Sequence, residues 1–417
     1  LTPATREKAA ATELHTLVVV SAAHLVSHFY ILVLPVLLPL LKERLDVGFF
    51  ELGLALTIFN VVSGLTQAPM GFLVDRVGPR IVLVAGLFLG GLAFGALAFL
   101  ISYPWLLAMA FLAGLANCVY HPADYAILAE EISEERIGRA FSVHTFAGFL
   151  GGGIAPLILL GLFSYAGLGA AFIFAGLLGP VVALTLLLMP RPAPRADRHG
   201  RRPTVKAGAG ALAGVVTPTI LLLTAFFTLL SLSTGGLQNF SVAAFMASKG
   251  LSFASANGAL TAFLMGSALG VLAGGTLADK TRRHGEVAAV GFGLCALVVL
   301  LIAALPLAPT LIVAAMGLGG VLSGIIMPSR DMLVRKAAPP GAQGRAFGIV
   351  STGFNIGGTI GPLVFGWIMD HTSPLWVFGA AVVFMIVTAV VGYMGGRRGD
   401  ARPVARPLTP SSTAAPR

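Results

Sequence analysis

Apolar stretches long enough to cross a bilayer recur twelve times along this chain, and that repetition constrains its folding more than any other feature. Hydrocarbon about 30 Å thick is spanned by about 20 helical residues at 1.5 Å each. The stretches lie near 14–41, 51–74, 81–101, 104–128, 140–163, 168–189, 217–243, 254–277, 287–305, 308–329, 346–368 and 374–394. Their connectors carry Pro, Gly and clustered charge, which a lipid-facing segment does not tolerate. The chain is 57% apolar and 11% charged, whereas soluble domains carry about 25% charge. Charges this sparse cannot clothe a water-facing surface. A membrane β-barrel would show alternating segments of about ten residues, and the run at 81–101 does not alternate. The predicted fold class is an all-α polytopic membrane protein with twelve transmembrane helices.

The pI near 10.1 suggests nucleic acid only until the charges are placed. With the amino terminus in the cytoplasm, every Lys and Arg except Lys42, Arg44 and Lys249 falls on the inner side of this span pattern. That bias predicts both termini in the cytoplasm of a bacterial inner membrane. The positive charge is thus a topology signal, with anionic lipid headgroups as a secondary partner and no role for nucleic acid. The first apolar segment is too long for a cleavable signal and lacks a small-residue cleavage site, so it is expected to stay as helix one. Cys118 and Cys295 fall inside spans and read as small buried apolar residues, with no disulfide, metal or cofactor implied.

Around 190–216 the chain turns rich in Pro, Arg, Gly and Ala, the composition of a basic cytoplasmic linker. It divides an N-terminal six-helix bundle, 1–189, from a C-terminal one, 217–396, with a disordered cytoplasmic tail expected over 397–417. The halves repeat each other. GFLVD at 71–75 matches GTLAD at 275–279, and GRAF at 138–141 matches GRAF at 344–347. Gly151, Gly152 and Pro156 match Gly357, Gly358 and Pro362. Two pseudo-symmetric bodies can expose a central solute site to either side by rocking, without forming a continuous pore. No carbonyl filter or ring of charge points to a channel instead.

The segment GFLVDRVGPR at 71–80 resembles the loop signature between helices two and three of the major facilitator superfamily, through Gly71, Asp75, Arg76, Gly78 and Arg80. GTLADKTRRHG at 275–285 looks like its second-half counterpart. Within that superfamily, SAAHLVSHFYILVLPVLLPLL at 21–41 and YHPADYAILAEE at 120–131 resemble the fosmidomycin-resistance exporters. Ser27-His28 stands where that branch often has Asn-Asp, and Ala123 separates Asp124 from the His-Pro pair. The resemblance implies two six-helix bundles with helices one and four lining a central cavity, and proton-driven export. Such a protein is expected to work as a monomer. Gly71, Asp75, Arg76, Gly78, Arg80 and Asp279 are conformational-switch candidates, with Asp75 and Asp279 as latches of one state. The small residues and Pro of 151–156 and 357–362 predict close helix packing and bends.

Ionisable groups inside spans are costly and usually face a partner or water. His24 and His28 share one face of helix one, and His121 lies three residues before Asp124 on helix four. All four are proton-coupling candidates, Asp124 foremost. The alternative role for Asp124 is a fixed partner of a histidine or of Arg330. At the duplication offset Asp124 corresponds to Arg330 and Tyr125 to Asp331. Asp124 and Arg330 are therefore switch candidates too, as a closing ion pair or part of an anion surface, while snorkelling to headgroups is the other reading of Arg330. Hydrogen bonds to solute are expected from His24, His28, Tyr30, Asn60, Gln67, Tyr120, His121, Tyr125, Gln238, Asn239, Asn257, Arg330 and Asn355. The set favours a small organic solute or drug, with the histidines and Arg330 pointing to an anionic one, exported against protons. Proton-coupled import or exchange of a metabolite such as a carboxylate is the nearest alternative. A receptor without flux and a membrane enzyme are alternatives of another class. No HExxH spacing and no phosphate-binding loop are present in the sequence, and no catalytic residue is expected.

Overall fold

The computed structural model describes residues 3–189, 215–339 and 342–400. Most of the expected linker, 190–214, and of the tail, 401–417, lies outside the described residues. Eleven helices are present among the described residues: α1 (Pro3–Leu45), α2 (Phe49–Val77), α3 (Pro79–Ala96), α4 (Tyr103–Glu131), α5 (Ile137–Leu188), α6 (Pro218–Lys249), α7 (Phe253–Lys280), α8 (His284–Ala304), α9 (Pro309–Ala337), α10 (Gln343–His371) and α11 (Trp376–Asp400). Each contains a stretch long and apolar enough to cross a membrane.

Eleven helices and twelve expected spans differ at α5 alone. Its 52 residues would extend about 78 Å if straight, more than twice the hydrocarbon thickness. The helical backbone breaks at Gly167, where φ is +80° and ψ −178°. Only glycine adopts that conformation without a steric penalty. The two limbs of α5 correspond to the expected spans 140–163 and 168–189.

Helix ends also run past the apolar stretches, because hydropathy marks the lipid-embedded part while helical hydrogen bonding continues beyond it. At the terminal end of the bundle, α1 extends over polar residues that are tied down. Thr16 Oγ1 donates to Glu131 at 2.8 Å, and Glu13 pairs with Arg136 at 3.0 Å. Capping sets other ends. Thr217 accepts from the Ile220 N–H at 3.3 Å at the start of α6.

Packing repeats between the halves. α1 lies on α5 as α6 lies on α10, and α2 on α4 as α7 on α9. Across the seam, α2 packs on α10 and α5 on α7, with a smaller contact between α1 and α6. That pattern is the internal duplication expressed in space. The bundle cores hold Phe172, Phe226, Phe240 and Phe292, whereas Phe72 and Phe99 are exposed. Cys118 and Cys295 are free and buried.

The seam is closed at the end remote from the termini. The carboxylate of Asp370, on α10, accepts from the backbone N–H groups of Phe49 at 3.0 Å and Phe50 at 2.7 Å. Gly48, the residue preceding α2, offers no side chain for that purpose, so the cap comes from the other half of the molecule. Lys42 Nζ adds an ion pair to Asp370 at 3.7 Å and lies over the Phe49 ring. Thr57 Oγ1 donates to the Thr359 carbonyl at 2.8 Å. Toward the terminal end, Leu65, Phe72 and Leu73 of α2 and Leu272 and Leu277 of α7 are exposed.

Candidate functional site

Above this seal a cavity of about 270 Å³ lies between the halves. Tyr30, Ile31 and Leu34 of α1, Leu56, Phe59 and Asn60 of α2, and Phe94 of α3 form one wall. Ser231, Thr234, Gln238 and Asn239 of α6, Met327 of α9, and Phe354 with Gly357, Gly358, Gly361 and Pro362 of α10 form the other. The duplicated glycines of α10 keep that wall low, because a Cβ at Gly358 would press on the Asn60 amide and one at Gly357 on Ser231.

Four expected solute-contacting residues, Tyr30, Asn60, Gln238 and Asn239, line this cavity. Tyr30 is fixed by the Gly179 N–H, which donates to its hydroxyl at 2.9 Å. Asn60 donates to Leu56 O at 2.8 Å, leaving its amide oxygen free to accept. Neither Gln238 nor Asn239 has a side-chain hydrogen bond among the described residues. The other expected contacts lie elsewhere. Tyr120 is buried within the N-terminal bundle, its hydroxyl donating to Gly86 O at 3.4 Å. Asn257 is buried and donates to Phe253 O at 2.9 Å. Asn355 adjoins Gly64 at the seam, and Gln67 is half-buried further along α2. Ser231, Thr234 and the lining phenylalanines, Phe59, Phe94 and Phe354, were absent from the expectations, since apolar residues and single hydroxyls in a span carry no distinguishing sequence signal.

A second constellation belongs wholly to the N-terminal half, within about two turns of Tyr30 along α1. Helical spacing brings His24 and His28 together, with ring centroids 4.7 Å apart, and α4 adds His121 at 5.2 Å from His24. A fourth histidine, His144 of α5, stacks on His24 at 3.9 Å. It was missed in the sequence because it stands alone near the start of a span, and only the α1–α5 packing brings it here. That packing is close: a Cβ at Gly148 would strike the His24 ring, and one at Gly151 the Leu25 carbonyl. Tyr125 covers the cluster, 5.8 Å from both His121 and His144.

Asp124 lies against the His24 and His144 rings and is completely buried. Its Oδ2 lies 3.4 Å from His24 Nδ1 and 3.7 Å from His144 Nε2. Among the described residues neither carboxylate oxygen receives a hydrogen bond, and both ring nitrogens of His144 are likewise without one. The donor atoms of His24, Asp124 and His144 fall within 4.8 Å of one another. However, the two imidazole planes are only 22° apart and stacked. Their in-plane lone pairs run in separate layers instead of meeting about 2.1 Å from each nitrogen, as a metal centre requires. The arrangement suits exchange of protons better than coordination.

The matched position in the second half is built differently. Arg330 pairs with its neighbour Asp331, Nη2 to Oδ1 at 2.8 Å and Nε to Oδ1 at 2.9 Å. Its guanidinium lies over Phe227 at 4.9 Å and Phe354 at 5.2 Å. In this conformation its carboxylate partner is Asp331.

Among the loop residues singled out in the sequence, Arg80 holds Glu131 through two bonds, 2.7 and 2.8 Å, inside the N-terminal half. Gly78 has φ +102° and ends α2 one residue before Pro79 starts α3. Asp75, Arg76 and Asp279 are exposed at the open end of the bundle, and Gly71 faces open space.

Comparison with known proteins agrees with this architecture. A family model described as Major Facilitator Superfamily matches residues 20–240 and 221–415. The fosmidomycin resistance protein of Escherichia coli strain K12 is 27% identical over 361 residues, 85% of this chain and 86% of that protein. A multi-drug resistance efflux pump homologue from Lactococcus lactis subsp. lactis is 27% identical, over 88% of this chain and 91% of its own. In fold, the chain is similar to a bacterial homologue of the human lysosomal transporter Spinster, solved inward-facing and unoccupied. That likeness has a TM-score of 0.81 at 16% identity, covering 94% of this chain and 99% of the other.

Proposed function

Since the chain belongs to the major facilitator superfamily, and is thus a multi-pass membrane transporter of small molecules and not an enzyme, we propose that it exports a small organic solute by alternating access in exchange for protons. Asp124 carries this reading. An ionised carboxylate buried without a hydrogen-bond donor costs several kcal/mol. A proton removes that cost, so protonation changes the energy of whichever conformation encloses the group. The groups facing it are His24 from α1, His144 from α5, and Tyr120 and Tyr125 from its own helix α4, with His28 and His121 behind them against the His24 ring. His24, His28 and His121 pass protons to and from Asp124, and His144 joins them.

The solute occupies the cavity between the halves. With both termini in the cytoplasm of the bacterial inner membrane, as the basic residues favour, the closed end is periplasmic and the cavity serves the cytoplasmic side. The Asp370 cap on α2 then holds the outer gate. Asp75 and Asp279 act at the opposite end, latching the outward-facing state when the cytoplasmic ends close. A single chain contains both halves and the whole cavity, so the monomer suffices.

Flux into and out of proteoliposomes under pH gradients of both signs tests the proposal. Export requires solute to move against the proton gradient. Movement of solute with the protons would establish import instead, and gradient-independent flux would remove the coupling.

A further inference from the structure

We propose that Asp331 sets the charge selectivity of the cavity by neutralising Arg330, so that the site takes uncharged, hydrogen-bonding organic solutes in preference to anions. The inference rests on reading the cavity as the solute site, and it narrows the solute class within that reading.

The wall chemistry points this way. Amides and hydroxyls supply the polarity, with Gln238 and Asn239 free of side-chain hydrogen bonds among the described residues and the Asn60 oxygen open to accept. Aromatic faces from Phe59, Phe94 and Phe354 supply the rest, and among the described residues no Asp, Glu, Lys, Arg or His lines the space. Such a wall orients a neutral solute but gives no counter-charge to an ion that must leave water.

Arg330 lies directly behind this wall. Its guanidinium is separated from the cavity by one layer of side chains: Met327 and Phe354 line the space, and Arg330 Nη1 lies 3.1 Å from Met327 Sδ while the group stacks on Phe354. The side chain is only 14% exposed, and its single carboxylate partner at 2.8 Å, Asp331, is 47% exposed. The pair therefore presents a dipole of zero net charge behind the wall. Without the carboxylate, the same guanidinium would present a full positive charge to whatever sits between Phe354 and Asn60.

The test uses benzamide and benzoate, which share shape and differ in charge, with binding followed by thermal stabilisation of the purified full chain. Wild type is expected to favour benzamide. D331N should raise the affinity for benzoate relative to benzamide about tenfold, the effect of one charge roughly 8 Å away at intermediate dielectric. D331E, which retains the charge, should keep the wild-type preference, and R330Q/D331N should restore it. A wild-type preference for benzoate would overturn the proposal. So would a D331N ratio equal to wild type, or the absence of stabilisation by either compound in every variant. Because binding alone is read, a failure of proton-coupled flux leaves this result standing, and the reverse also holds.

Discussion

Asp124 and Arg330 hold corresponding positions in the two halves, and their surroundings are opposite in kind. Asp124 is wholly buried, lies against the imidazoles of His24 and His144 and, among the described residues, receives no hydrogen bond. Arg330 has a carboxylate at 2.8 Å, two aromatic faces and a thioether around it. One half holds a charge that nothing fixed compensates, and the other holds a charge compensated on every side. A duplicated scaffold can thus divide its labour. On the proposed mechanism, the N-terminal half carries the group whose protonation alters its energy, while the C-terminal half supplies a constant electrostatic wall for the solute.

Substitutions that break this contrast should differ in size. D124N removes a buried carboxylate that no hydrogen bond compensates among the described residues, worth several kcal/mol when ionised, and is expected to reduce gradient-driven transport at least tenfold. Initial rates with and without an imposed pH gradient measure it. G148A disturbs the same cluster through packing, since the added methyl meets the His24 ring. Overpacking of this kind costs about 1–3 kcal/mol, to be seen as a lower midpoint of thermal unfolding in detergent. D370N sharpens the picture from the sealed end by weakening the charge that caps α2 and holds Lys42. A helix-terminus charge is worth about 0.3–2 kcal/mol, so D370N should shift the population toward opening at that end, read by distances between spin labels on α2 and α10. R330Q should have the smallest effect on coupling. Its half-exposed ion pair contributes no more than about 1 kcal/mol, and its pH response should match wild type. An R330Q variant as uncoupled as D124N would erase the contrast.

Much of the fold is written in local pattern. Span length and connector chemistry locate the helices, and the 4-residue spacing of His24 and His28 puts both rings on one face before any neighbour is known. The break between two spans in α5 falls at Gly167, inside the connector expected between 163 and 168, although hydrogen bonding runs the two limbs together as one helix. The site is less legible. His144 joins the cluster only because small residues at 148 and 151 let α5 approach α1, a register decided by packing between separate helices. The Asp370 cap on α2 joins residues more than 300 positions apart, and nothing near Phe49 in the sequence names its partner. Arg330 was visible as a charge just past the end of a span, at the position matching Asp124. Its neutralisation by the adjacent residue depends on a side-chain rotamer, which spacing does not fix.

The direct test of Asp124 as the coupling group compares two modes of one variant in proteoliposomes, using a solute found by stabilisation screening. D124N should still exchange labelled for unlabelled solute across the membrane, because the cavity is intact, and should lose the acceleration that an imposed pH gradient gives the wild type. A D124N protein that exchanges solute and also responds to the gradient as wild type does would contradict the assignment.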